Sequence, residues 1–170
     1  MKKYFKYAGI VSVVLAVVAF ILVVACNGAK FEAGGYTDKT KGMDMIFAKG
    51  DCKGADKSVA GLFGFIFLLV AMIAAIVGVL LPLVGKEMNP KIASIINIVA
   101  AVLFILGGIL IICTAHSFID ANDDGMTKAM IKEAKKHTDC TVEYALAGIL
   151  SMLAGVVTLV PAVSGFMNKD

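Results

Sequence analysis

The chain has 170 residues, 59% of them hydrophobic, with a mean hydropathy of +0.89 and a formal net charge of +3. Such a composition excludes an ordinary water-soluble domain and puts the chain among membrane proteins. All 16 positive charges are lysines, and no basic patch interleaved with aromatics points to nucleic acid.

Lys2, Lys3 and Lys6 precede an uncharged apolar run over 8–26, and further uncharged runs occupy 58–85, 92–115 and 144–168. As helix, each is long enough to cross a hydrocarbon core of about 30 Å. Barrel strands would instead alternate over about ten residues. The expected fold class is therefore all-α membrane, a four-helix transmembrane bundle forming one domain over 1–170. The segments 1–7, 86–91 and 167–170 hold six lysines in 17 residues, whereas 27–57 and 116–143 hold ten in 59. The positive-inside rule then assigns both termini to the cytoplasm and both long loops to the exterior of a plasma membrane.

In the first loop, "AKFEAGGYTDKTKGMDMIFA" predicts a short extracellular β-hairpin. Its strands are expected around Phe31 and over 43–47, joined through Gly34, Gly35 and the Thr-Asp-Lys segment. In the second loop, Met126, Met130, Ile131 and Ala134 fall near one helical face and Lys128, Lys132, Lys135 and Lys136 around the rest. This predicts a short amphipathic helix over 126–136, its apolar side on the end of the bundle or on a partner.

The two hairpins resemble one another. "ILVVAC" and "GILIIC" close the outgoing spans, and an Asp-Cys pair at Cys52 and at Cys140 precedes the returning ones. Cys26 and Cys52 lie 26 positions apart, Cys113 and Cys140 lie 27 apart. We read a duplicated two-helix unit, and from it disulfides Cys26–Cys52 and Cys113–Cys140 on an oxidising face. Zinc held by Cys113, His116, His137 and Cys140 is an alternative of acceptable spacing, but the first hairpin has no histidine. A second alternative is a lipoprotein signal, since "LVVACNG" after a basic start fits cleavage before Cys26. The Cys113 counterpart argues against it.

Asp120, Asn122, Asp124 and Gly125 match the start of a calcium loop, although Ile131 stands where the twelfth-position acid belongs and Glu133 comes two residues late. The competing reading has Asp123 or Asp124 capping the amphipathic helix. Within the spans there is no ionisable side chain, which argues against ion-driven transport. Ala93, Asn97, Ala100 and Gly107 share one face of the third span, as do Ala147, Ser151, Gly155, Thr158 and Ala162 of the fourth. Both stripes are expected to pack inside the bundle, with Asn97 as an interhelical hydrogen-bond donor.

With its lysine-rich start and "GMDMIF" segment (Gly42 to Phe47) before the second span, the whole chain resembles the uncharacterised four-span proteins common in Gram-positive bacteria. It is also similar in layout to claudin-type bundles, without tryptophan and so without their signature, and it lacks the Cys-Cys-Gly of tetraspanins. No site residue is implied by these resemblances. The expected function is non-enzymatic: a structural or interaction role through two disulfide-closed loops, with a protein partner or homo-oligomer. The runner-up is a quinone-linked thiol–disulfide oxidoreductase, although no C-x-x-C is present. The third reading is an accessory subunit of a membrane transporter. No cofactor is expected beyond possible Ca2+.

Overall fold

In lipid a backbone must satisfy its own hydrogen bonds, so uncharged runs of this length become helices. The computed structural model describes residues 2–33, 36–83, 89–123 and 126–167. Its elements are α1 (Lys2–Ala25), β1 (Asn27–Ala33), β2 (Tyr36–Lys41), α2 (Gly42–Phe47), a 3-10 turn (Gly50–Cys52), α3 (Val59–Leu83), α4 (Pro90–Ile112), α5 (Thr114–Ala121), α6 (Lys128–Lys136), β3 (Thr138–Cys140) and α7 (Val142–Met167). Helices α1, α3, α4 and α7 are long and apolar enough to cross a membrane. The protein is a membrane protein dominated by helix, with one small sheet.

The start of α4 shows how sequence sets a boundary. Asn89 Oδ1 accepts the Lys91 N–H at 3.0 Å, and Pro90 occupies the first turn, where no N–H is needed. Its end differs from the expected span, which ran to 115. The α4 helix stops at Ile112, Cys113 forms the junction, and a new helix, α5, runs on to Ala121. Apolarity marks what is buried but not where an axis turns.

The four long helices form an antiparallel ring in which α1 neighbours α3 and α7, and α4 neighbours α3 and α7. Lipid tails are as apolar as leucine, so close approach and interhelical hydrogen bonds hold such a ring. Helices α4 and α7 meet backbone to backbone: a Cβ on Gly108 would lie 2.5 Å from the Gly148 carbonyl, and one on Gly155 2.8 Å from that of Ala101. Gly64 and Gly107 join α3 to α4 in the same manner. Between α1 and α7 the link is polar, Ser12 Oγ donating to the Ala154 carbonyl at 3.1 Å and bonding Thr158 Oγ1.

Ser151 is fully buried and donates to the Phe104 carbonyl at 2.8 Å. Gly155 faces the same α4 seam, and Ala147 is buried. Asn97, 3% exposed, lies with its Oδ1 over Gly78 of α3, and that oxygen has no hydrogen-bond partner.

Both loops emerge at one end of the ring and fold together. The sheet has the order β2-β1-β3, all antiparallel, so its central strand takes one neighbour from each loop. Strand β1 pairs Lys30 with Lys39 on one side and with Asp139 on the other. The hairpin of the first loop thus has its second strand over 36–41, not over 43–47, which is helical. Gly42, Met45 and Ile46 are its buried positions, an i, i+3, i+4 spacing that belongs to a helix.

Candidate functional site in the extramembrane cap

The cap is positioned by residues whose small size or hydroxyl group lets separate elements touch. Gly42 opens α2 directly on the ring of Tyr144 from α7, where a Cβ would lie 2.5 Å from the hydroxyl oxygen. On its other side Gly28 of β1 presses against Gly42, with room for a Cβ only 2.6 Å from the Gly42 Cα. The three residues stack strand, short helix and membrane helix into a column. Tyr144 is fully buried, and Thr114 lies beside its hydroxyl without closing a hydrogen bond of good geometry.

Hydroxyl groups tie the two loops together. Thr141 Oγ1 accepts the Tyr144 N–H at 3.3 Å, capping α7, and donates to the Asn27 carbonyl of the first loop. Ser58, at the entry to α3, donates to the Thr114 carbonyl at 2.9 Å. Ser117 Oγ accepts the Ala60 N–H at 3.0 Å. Ala29, Met45, Cys52 and Ala115 form a small apolar centre beneath the sheet, with Phe31 and Phe118 packed against it.

The calcium-loop residues serve this joining. Asn122 Oδ1 accepts the Asp56 N–H at 2.7 Å, and its Nδ2 donates to the Asp56 carbonyl at 3.0 Å and to that of Phe118 at 2.8 Å. Asp120 pairs with Lys135 of α6 at 2.5 Å. Asp124 and Gly125 lie outside the described residues. Among the described residues no three His, Cys, Asp or Glu side chains are grouped as a metal set. His116 Nε2 lies 3.3 Å from the Thr138 carbonyl, while His137 turns to Glu133 at 3.3 Å.

Helix α6 begins at Lys128, and its cap is Thr127, whose side chain accepts the Met130 N–H at 3.4 Å. The expected cap at Asp123 or Asp124 is replaced because the hydroxyl one position before the helix meets that N–H. No α6 residue is buried, so its apolar side is only partly covered.

All four cysteines carry free thiols in this structure; the bridges Cys26–Cys52 and Cys113–Cys140 are not formed in it. Cys113 is exposed and its charge reaches Cys140. Burial, then Cys113, then Asp139 push the Cys140 thiol up to about 11. Cys52 is also raised, by burial first and then by Asp44 and Asp51. Neither is an activated nucleophile, which would need a depressed pKa.

Each edge of the sheet has an outward backbone group already engaged. Gly28 and Glu32 of β1 hydrogen-bond towards the β3 side, through Thr141 and His137. In an antiparallel ladder alternate residues face opposite neighbours, so Thr37, Lys39 and Lys41 turn their amides outward from β2. Asp38 Oδ1 accepts that of Lys39 at 2.8 Å, and His116 reaches the outward Thr138 carbonyl of β3. Charged side chains and filled amides of this kind discourage strand addition.

The sequence singled out the cysteines and the acidic loop. It did not single out Gly28, Gly42, Ser58, Thr141 or Tyr144, which hold the cap together. Their one signal was small or hydroxyl residues at the ends of apolar runs. No family model matches the chain, and no curated protein matches it.

Proposed function

We propose that the protein is a non-enzymatic plasma-membrane protein that presents its cap, on the exterior, to a protein partner or a second copy, with both termini cytoplasmic. The carrying observation is that the two loops share one sheet, β2-β1-β3. A surface assembled from both halves of the chain is ordered before it meets a partner, which lowers the entropy lost on binding. Tyr36, 84% exposed at the tip of the hairpin, is the residue we assign to contact, because exposed tyrosine supplies large contact area at low entropic cost.

The duplicated-hairpin reading and the two cysteine pairs belong to the same proposal. On an oxidising face the Cys140 thiol and Cys113, which is close enough to raise it, close as a disulfide, and Cys26 pairs with Cys52. Non-reducing peptide mapping of protein from intact cells is expected to return these two links; a Cys26–Cys113 peptide overturns the pairing. The raised thiols of Cys52 and Cys140 weigh against the oxidoreductase reading.

The functional test is affinity purification in mild detergent. A stoichiometric partner or an ordered oligomer that is lost in Tyr36→Ala supports the proposal. Recovery of bound quinone with turnover of a dithiol substrate overturns it.

A further inference from the structure

The four seams of the helix ring are not alike. Glycines bring α3 against α4 and α4 against α7, and a buried serine–threonine pair joins α1 to α7. Helices α1 and α3 come close at the end away from the cap, where a Cβ on Gly9 would lie 2.7 Å from Val79 Cγ1. Towards the cap, bulky rings stand between them. Phe20 of α1 and Phe65 of α3 have centroids 5.6 Å apart with planes tilted by 30°, and Phe47 of α2 meets Phe65 edge-on at 5.6 Å. All three rings are only partly buried. A seam closed by side chains rather than backbone turns the exposed part of these rings to the hydrocarbon on its outer side, an apolar surface along which an acyl chain can lie.

At the head of this row stands Lys49. Its ammonium lies 5.7 Å from the Phe47 centroid, within range of a cation–π attraction. Its side chain is exposed, and among the described residues it enters no ion pair. An apolar track ending in an unpaired cation where the helix meets the cap is complementary to one class of molecule always present beside it.

We propose that the cap-side half of the α1–α3 seam binds an anionic phospholipid, one acyl chain lying along Phe20 and Phe65 and the headgroup phosphate at Lys49. The apolar part holds any phospholipid; Lys49 supplies the preference for net negative charge.

The test uses the full chain, purified in mild detergent and offered phosphatidylglycerol and phosphatidylcholine of identical chains, with bound lipid counted by native mass spectrometry. The wild type is expected to retain phosphatidylglycerol over phosphatidylcholine by about fivefold, the effect of one lysine at a membrane surface. Lys49→Gln, at an exposed position that leaves the fold intact, brings that ratio to near one. Lys132→Gln, on α6, leaves it unchanged. Phe65→Ala lowers retention of both lipids together. Equal retention of the two lipids by the wild type overturns the proposal. So does a loss of preference in Lys132→Gln as large as in Lys49→Gln, which would make the effect one of diffuse charge. Undiminished binding in Phe65→Ala overturns the assignment of the seam.

Discussion

Gly42 and Tyr144 concentrate the demands on the cap in one contact. A methyl group at position 42 would collide with a ring that is itself fully enclosed, and an enclosed ring has nowhere to move. Gly42→Ala is therefore expected to lower stability by about 1–3 kcal/mol, measured by denaturant titration in detergent. Tyr144→Phe acts in the opposite sense. It removes a buried hydroxyl that has no hydrogen-bond partner, so the variant should be as stable as the wild type or more so. Cys140 offers a test by rate. In reduced protein its alkylation by iodoacetamide should keep accelerating up to pH about 11, because burial favours the neutral thiol. The same shift makes the fold lose stability as pH rises from the ordinary thiol range towards 11, since only the unfolded chain releases that proton freely.

Among the elements, α5 and the chain ahead of α3 are joined by Ser58, which bonds the Thr114 carbonyl, and by Asn122. Asn122 makes three hydrogen bonds, two of them to the backbone of Asp56. Asn122→Ala is expected to cost about 1–3 kcal/mol and to expose the stretch around Asp56 to protease, seen as faster cleavage there in limited proteolysis. The long helices were legible in the sequence because lipid imposes one requirement on every residue of a span. The apolar stripe of α7 was legible too, since Ala147, Ser151, Thr158 and Ala162 are buried. The cap was not. Strand β2 reads Tyr-Thr-Asp-Lys-Thr-Lys, polar throughout, and is a strand because it pairs along β1. The segment 43–47 is apolar but for Asp44 and short enough to read as a strand, yet Gly42, Met45 and Ile46 are its buried positions in a helix that opens on Tyr144. Asn122, chosen as a calcium ligand, is recruited by a backbone 66 residues earlier, a pairing that spacing cannot reveal.

For the molecule as a whole, the shared sheet requires both loops to lie on one face of the membrane, whichever face that is. In a background without cysteine, Lys41→Cys and Lys132→Cys should label alike with an impermeant maleimide. Lys91→Cys, at the far end of α4, should label only when the other face is opened. On intact cells the exterior orientation predicts labelling at 41 and 132; labelling at only one of them excludes the joint cap.

Strand β1 bonds to a neighbour in its own loop and to a segment whose Thr141 lies 114 residues further along. During synthesis the first hairpin is therefore made with one flank of its sheet bare, and that flank is covered only once β3, just ahead of the final span, has been added. Non-local pairing of this kind is slow to form and leaves a sticky intermediate until it does. A ribosome stalled before residue 138 would release a half-built cap, distinguishable from the finished one by surveillance proteases that engage unpaired strands.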